Sequence, residues 1–159
     1  MYKKTAGAKG DKPLRDLSRS WSQVAAFVSA VDAGLNKWLT TTYGIGLTEY
    51  RALVLLSRTP DKELRVNDLA QQVGLNQSSV TRLLSRLEDK GLTYRDTCPD
   101  DGRGIYAVIA ERGEALLSEA GEPHQAKIQE LLEGAAKRDP QLDQQELGRA
   151  FGAIGGLIK

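Results

Sequence analysis

The chain has 159 residues, of which 40% are hydrophobic and 27% are charged, with a formal net charge of +1 at pH 7. Its length allows one domain, or one small lobe joined to an oligomerisation region, and its single cysteine excludes an internal disulfide framework. No apolar run approaches the roughly 18 residues of a membrane span, and the lysine-rich N-terminus lacks the apolar segment of a secretory signal. We therefore expect a cytoplasmic protein that does not contact membranes.

Helical periodicity dominates the first third of the chain. Residues 1–13 are rich in Gly and Lys and predict a flexible basic arm. Apolar residues then recur at helical spacing across residues 14–42, which predicts a long amphipathic helix. A second helix is predicted over 47–58, with Gly46 or Thr48 as its N-cap, and is followed by a turn at 59–62 that contains Pro60.

Shorter elements follow. Residues 66–73 predict a short helix capped by Gly74. Another helix is predicted after Asn76, with Lys90 in its last turn and a C-terminal glycine, Gly91. Two strands are predicted at 92–97 and 104–109, joined through 98–103 with hairpin chemistry. Two more helices are predicted, at 111–133 with a bend at 121–123 and at 140–157.

The helix after Asn76 has two contrasting faces. Four apolar residues fall at i, i+3, i+4 and i+7 on one of them: Val80, Leu83, Leu84 and Leu87. The opposite face carries donors and two cations before any acid: Gln77, Ser78, Thr81, Arg82, Ser85 and Arg86. A helix that enters a DNA major groove needs short donors near its N-terminus and arginine along one side.

The same residues suggest which side chain caps the helix and which side chains contact DNA. Asn76 is the expected N-cap, while Gln77 and Ser79 are the better candidates for contacts to bases or phosphates. Arg82 and Arg86 have no acidic residue four positions earlier, which favours DNA over ordinary surface pairing.

A short helix, a turn, a polar-faced helix and a two-stranded hairpin together make a winged helix-turn-helix. In this order the chain resembles the MarR family of bacterial transcriptional regulators over residues 47–117. The matching segments are LTEYRAL at 47–53, VNDLA at 66–70, VGL at 73–75, SVTRL at 79–83, KGL at 90–92, PDDGR at 99–103 and RGEALL at 112–117. The resemblance implies a mostly α fold with a small β-wing: a DNA-binding lobe at 47–110 and a helical dimerisation region at 14–46 and 111–159.

The wing and the following helix depart slightly from the family pattern. The family's Asp-x-Arg pattern falls on Asp101 and Arg103, and the resemblance implies that Arg103 enters a narrow minor groove, oriented by Asp101. Gly102 and Gly104 loosen the wing tip. Ala110 replaces the threonine that usually caps the following helix, and Glu111 partly compensates through the helix dipole.

The resemblance implies a homodimeric repressor that binds double-stranded DNA at a near-palindromic operator and leaves it when a small anionic or phenolic effector binds. Such effectors bind between the dimerisation helices and the DNA-binding lobe, which indicates Trp38, Tyr50 and Arg51. Packing in the core or dimer, or an ion pair of Arg51, explains the same residues equally well. The residues of the predicted dimer surface are Trp21, Val24, Val28, Val31, Leu35, Ile128, Leu131, Leu132, Phe151, Ile154 and Leu157, with close helix approach allowed by Gly148, Gly152, Gly155 and Gly156.

Two other functions stay open: an enzyme with its site in the interlobe crevice, and a winged helix that binds proteins. No catalytic set is recognisable, and we predict no cofactor. His124 is the only histidine, which disfavours a metal site. Cys98 lies among acidic residues that oppose thiolate formation, so a redox switch is disfavoured.

Overall fold

The computed structural model describes residues 12–97, 104–137 and 144–157, with six helices and three strands in those ranges. The elements are α1 (Lys12–Tyr43), α2 (Leu47–Arg58), β1 (Glu63–Arg65), α3 (Val66–Val73), α4 (Gln77–Asp89), β2 (Thr93–Thr97), β3 (Ile105–Ile109), α5 (Glu111–Ala136) and α6 (Gln144–Gly155). Within these ranges, no helix has the length and apolar character needed to cross a membrane.

The predicted helices are confirmed, with differences at their ends. α2 and α3 have the predicted bounds, and Gly46 is the N-cap of α2. α4 ends at Asp89, so Lys90 is its C-cap and not part of its last turn. α1 begins at Lys12, so the predicted arm loses its last two residues to the helix, and residues 1–11 lie outside the described chain. α5 remains helical through Pro123, and α6 ends at Gly155 instead of residue 157.

The sheet has one more strand than the sequence predicted. Its order is β1-β3-β2, and both pairs are antiparallel, so Ala107 of β3 pairs with Leu64 on one side and Arg95 on the other. β1 has only three residues, too few to show an alternating pattern. It exists because β3, which lies much later in the chain, supplies its hydrogen-bond partners.

The core joins the small helices to the sheet. Val80, Leu83, Leu84 and Leu87 of α4 are all buried, as their spacing predicted. They share one cluster with residues of α1, α2, α3, β3 and α5. Each fully buried leucine contributes about 1.5–3 kcal/mol. This burial sets the rotation of α4, so its polar face lies outward.

Gly113 lets α5 approach the sheet closely. A Cβ atom at this position would lie 2.4 Å from the carbonyl oxygen of Leu92 and 2.8 Å from Cγ1 of Ile109. The helix begins after Ala110, whose side chain makes no capping hydrogen bond, as the sequence predicted, and both Glu111 and Glu114 lie in the first turn. The contact at Gly113 therefore fixes the start of α5 where a capping side chain is missing.

We predict that Gly113→Ala lowers the free energy of unfolding by about 1–3 kcal/mol, because the added methyl group overlaps a backbone oxygen that cannot rotate away. Gly121→Ala in the same helix is the matched control, since no heavy atom lies within 4 Å of the position that its added methyl group would take. It should gain about 0.5–1 kcal/mol from helix propensity. Urea denaturation measures both, and equal stabilities of the two variants would contradict the packing argument.

Candidate nucleic-acid interface

Both ends of α4 are fixed by capping. The Asn76 side chain accepts hydrogen bonds from the Ser79 backbone N–H and the Ser78 hydroxyl, each at 2.9 Å, which confirms Asn76 as the N-cap. At the other end Gly91 has a φ of 68°. The N–H groups of Gly91 and Leu92 donate to the carbonyls of Glu88 and Leu87, at 2.8 and 2.9 Å. This pair of hydrogen bonds is a Schellman motif and ends the helix at the predicted residue.

The outward face of α4 is exposed over its first half. Gln77, Ser78, Thr81 and Arg82 are exposed, and Ser79 is half-buried. The Ser78 hydroxyl donates to the Asn76 side chain at 2.9 Å and the Thr81 hydroxyl donates to the Gln77 carbonyl at 2.8 Å, so both hydroxyl oxygens remain able to accept a hydrogen bond. No carboxylate in the described part of the chain pairs with Arg82, which leaves its guanidinium available to a ligand.

Arg86 has an acidic partner that its sequence neighbours did not reveal. Its Nε donates to Oε1 of Glu49 at 2.9 Å, and Lys90 Nζ donates to Oε2 of the same carboxylate at 2.7 Å. No acid lies four positions before Arg86, as the sequence shows, but Arg86 is paired all the same because its partner comes from α2. Its Nη atoms are not used in this contact, and the side chain stays 55% exposed.

Glu49 is a buried carboxylate with three donors. The residue is 4% exposed, and Oε2 also accepts the Gly46 backbone N–H at the start of α2, at 3.0 Å. Burial raises the pKa of Glu49, but the bonds from Lys90, Gly46 and Arg86 together outweigh it, so the pKa lies below the ordinary 4.5. Sequence reasoning missed this residue, although a Glu three positions after a helix cap was a signal.

A second arginine lies against α4 from the sheet. Arg95 of β2 donates through Nη2 to the Thr81 carbonyl at 3.2 Å and to the Ser85 hydroxyl at 3.1 Å, and it lies 3.5 Å from Oε2 of Glu88. The sequence did not identify it, because a strand position gives no indication of a helix packed beside it. A groove of about 340 Å³ opens here, lined by Arg65, Val66, Asn67, Gln77, Thr81, Leu84, Arg95, Gly104 and Ile105.

The tip of the wing lies outside the described residues. Residues 98–103 are not described, so Asp101, Arg103 and Cys98 stay predictions from the sequence. The strands on either side, β2 and β3, pair in register up to Thr97 and Ile105.

A crevice of about 450 Å³ lies among helices α1, α2, α3 and α5. Its lining residues are Leu35, Leu47, Tyr50, Arg51, Val54, Leu55, Arg58, Gln72, Val73, His124 and Ile128. Arg51 is held by Asp32 of α1, with Nη1–Oδ2 and Nη2–Oδ1 distances of 3.0 and 2.8 Å. The ion-pair interpretation of Arg51 thus describes this structure. Among the described residues Trp38 is not part of the lining, and it packs edge-on against Tyr43.

Two residues of the crevice were not in the predicted set. His124 stacks on Tyr50 with ring centroids 4.5 Å apart, and its Nε2 is buried without a hydrogen-bond partner in the described structure. Burial lowers the pKa of His124, and the positive charge of Arg51 lowers it further, so the imidazole is neutral at pH 7. Arg58 is exposed and has no ion pair within the described ranges, which makes it the available cation of the crevice.

We predict that acid weakens the fold partly through Glu49. Because its pKa is below 4.5 only in the folded state, the unfolded chain binds the proton more readily, and stability falls as the pH drops below about 4.5. Glu49→Gln should lose about 1.5–3 kcal/mol at pH 7, the contribution of hydrogen bonds to a charged group, and should respond less to acid. Urea denaturation between about pH 6 and 3 measures this.

The control for this experiment is Glu130→Gln on α5. Glu130 pairs with Lys127 at 2.8 Å, but its side chain is 67% exposed, so the pair contributes little. A Glu49→Gln variant with the acid response of the wild-type protein would contradict the prediction.

Comparisons with known proteins agree on one family. The MarR family model matches residues 45–105. The HTH-type transcriptional regulator MhqR of Bacillus subtilis is 29% identical over 107 residues, which are 67% of this chain and 72% of that protein.

Solved structures show the same fold over nearly the whole chain. Sco3205 of Streptomyces coelicolor, a MarR family transcriptional regulator solved in complex with DNA, superposes with a TM-score of 0.72 at 21% identity, covering 99% of this chain and 91% of that one. The apo form of MarR from E. coli gives a TM-score of 0.68 at 20% identity, covering 87% and 96%.

Proposed function

We propose that this chain, which belongs to the MarR family of winged helix-turn-helix transcriptional regulators, is a homodimeric repressor released from a near-palindromic operator by a small molecule. That it is a DNA-binding regulator follows from the family. The observation that carries the DNA-binding part of the proposal is the outward face of α4, which is capped at its N-terminus and carries Arg82, an arginine without a carboxylate partner among the described residues. This chain also shares the fold of Sco3205, whose structure was solved in complex with DNA.

The contacts divide along α4. A recognition helix reads bases with its N-terminal residues, so Gln77, Ser79 and Arg82 reach bases or adjoining phosphates, with Ser78 and Thr81 as hydrogen-bond acceptors beside them. Arg86 contacts phosphate through the Nη atoms that Glu49 leaves unused. In the wing, Arg103, oriented by Asp101, enters the adjacent minor groove.

Arg82 supplies the sharpest test of DNA reading. We predict that Arg82→Ala reduces discrimination between the operator and random DNA by about 1–3 kcal/mol, the contribution of a base-reading arginine. The operator is first located by footprinting the protein on its own upstream region, and binding is then measured on both DNAs across a salt series. Arg58→Ala is the control, since it removes another exposed arginine, one that lines the crevice. If Arg82→Ala leaves the ratio of operator to random affinity unchanged, Arg82 is not one of the residues that read bases.

The dimer surface follows from what the protomer leaves uncovered. Trp21 is 71% exposed, Val24 and Val28 are exposed on the same stripe of α1, and Phe151 and Ile154 are exposed on α6. Leu35, by contrast, is buried in the protomer's own core, so it was wrongly assigned to the dimer surface. Val31, Ile128 and Leu131 also pack against that core. Gly148, Gly152 and Gly155 face open space in the protomer, which suits a helix from a second copy.

We expect a dimer at micromolar concentration, because apolar patches of this extent are unusual on a monomer. Trp21→Asp should shift the protein to monomer and weaken operator binding, since two-fold symmetry holds two recognition helices roughly 34–36 Å apart. Gln23→Asp, about 200° around the same helix, is the control and should stay dimeric. Light scattering with gel shifts measures both, and a monomeric wild-type protein that binds a half-site tightly would refute the architecture.

The effector site is the crevice. A small anionic or phenolic molecule there lies beside Tyr50 and His124 and meets Arg58 as the available cation; Arg51 contributes only if Asp32 releases it. Trp38 acts indirectly, through its ring contact with His124, whose ring centroid lies 6.3 Å away. Screening small carboxylates and phenols for release of the operator tests this site. The relatives are regulators, which disfavours the enzyme alternative. We place the protein in the cytoplasm, where bacterial DNA lies.

A further inference from the structure

Three cations recur along one side of α4 at intervals of four residues: Arg82, Arg86 and Lys90. Residues at this spacing lie on one face of a helix, each about one turn from the next. A row of three free cations attracts the phosphates of any DNA, whatever its sequence. In this structure the row is not uniform, because only Arg82 is without a carboxylate partner among the described residues.

One carboxylate accounts for the difference. The two oxygens of Glu49 accept separately from Arg86 and Lys90, at 2.9 and 2.7 Å. Glu49 cannot turn away from them, because its position is the third residue of α2 and it also accepts the Gly46 N–H. A DNA phosphate that drew Arg86 or Lys90 away from Glu49 would leave the buried carboxylate with one ion-pair partner fewer, which costs free energy.

We propose that Glu49 is a specificity-determining residue that acts through Arg86 and Lys90: it offsets their charge and concentrates the free positive charge of α4 at Arg82, in the half of the helix that reads bases. This inference rests on the proposed DNA-binding role of α4 and adds a residue from α2 that does not itself touch DNA. Glu49 limits binding to random sequence more than binding to the operator, because base contacts at the N-terminal half contribute only at the operator.

The experiment compares Glu49→Gln with the wild-type protein on random-sequence and operator duplexes across a salt series. Glutamine keeps the shape and can still accept the Gly46 N–H, as Gln does in a capping box. Arg86 and Lys90 then face phosphate without an opposing charge. Measurements are made where thermal melting shows each variant fully folded.

We expect the slope of log K against log[salt] on random DNA to steepen by about 1 per protomer, since each phosphate neutralised adds about 0.9. Affinity for random DNA rises several-fold, and the ratio of operator to random affinity falls by a similar factor. Adding Arg86→Gln to Glu49→Gln should return the slope toward the wild-type value. Glu130→Gln makes the same change in net charge on α5 and should leave the slope unchanged.

Two outcomes overturn the proposal. A wild-type slope and specificity ratio in Glu49→Gln would show that the carboxylate does not restrain the cations. Weaker binding to both DNAs with an unchanged slope would show that Glu49 only holds α4 in place. The salt slope on random DNA tests the role of Glu49 whether or not the wild-type protein prefers an operator. A failure of the repressor proposal would show up differently, as a wild-type ratio of operator to random affinity near one.

Discussion

The burial of the apolar face of α4 is the constraint on which the rest of the structure depends. Leu83 and Leu87 are fully buried, and Leu84 is nearly so, which leaves the helix only one rotation about its axis. That rotation sends Arg82 outward. The caps at Asn76 and Gly91 then set the length of the exposed surface. A polar substitution in the buried face would therefore change the functional surface as well as the stability.

Electrostatics refine what packing establishes. The outward face of α4 has similar residue types along its length, yet its two halves differ because Glu49 of α2 pairs with Arg86, and Arg95 of β2 contacts the side chains of Ser85 and Glu88. The first half is left with hydroxyls, an amide and Arg82. A protein with a net charge of only +1 can in this way present a small, localised positive region to DNA instead of a broad basic surface.

α2 lines the crevice and also contacts α4. Tyr50 and Arg51 follow Glu49 directly, so neighbouring positions of one helix line the crevice and bind α4. The ion pair between Arg51 and Asp32 joins α2 to α1 across the same boundary. A molecule that binds in the crevice therefore contacts α2, which is joined to α1 by the Arg51–Asp32 pair and to α4 by the Arg86–Glu49 pair. A packed helix joined in this way can transmit a local contact to a distant surface.

The sequence by itself determined the helices of the lobe, the two strands of the wing and the polar face of α4, because each depends on spacing and capping within a few residues. Only the tertiary structure decided which charges on that face are free. Glu49 lies 37 positions before Arg86, and no local pattern relates them. The same holds for β1, because three residues are too few to predict a strand from their pattern. It also holds for Leu35, because its apolar stripe fits a dimer surface and a protomer core equally well until its neighbours are known. Local patterns encode which face of a helix is apolar, whereas the partner of each side chain is set by elements that meet only when the chain folds.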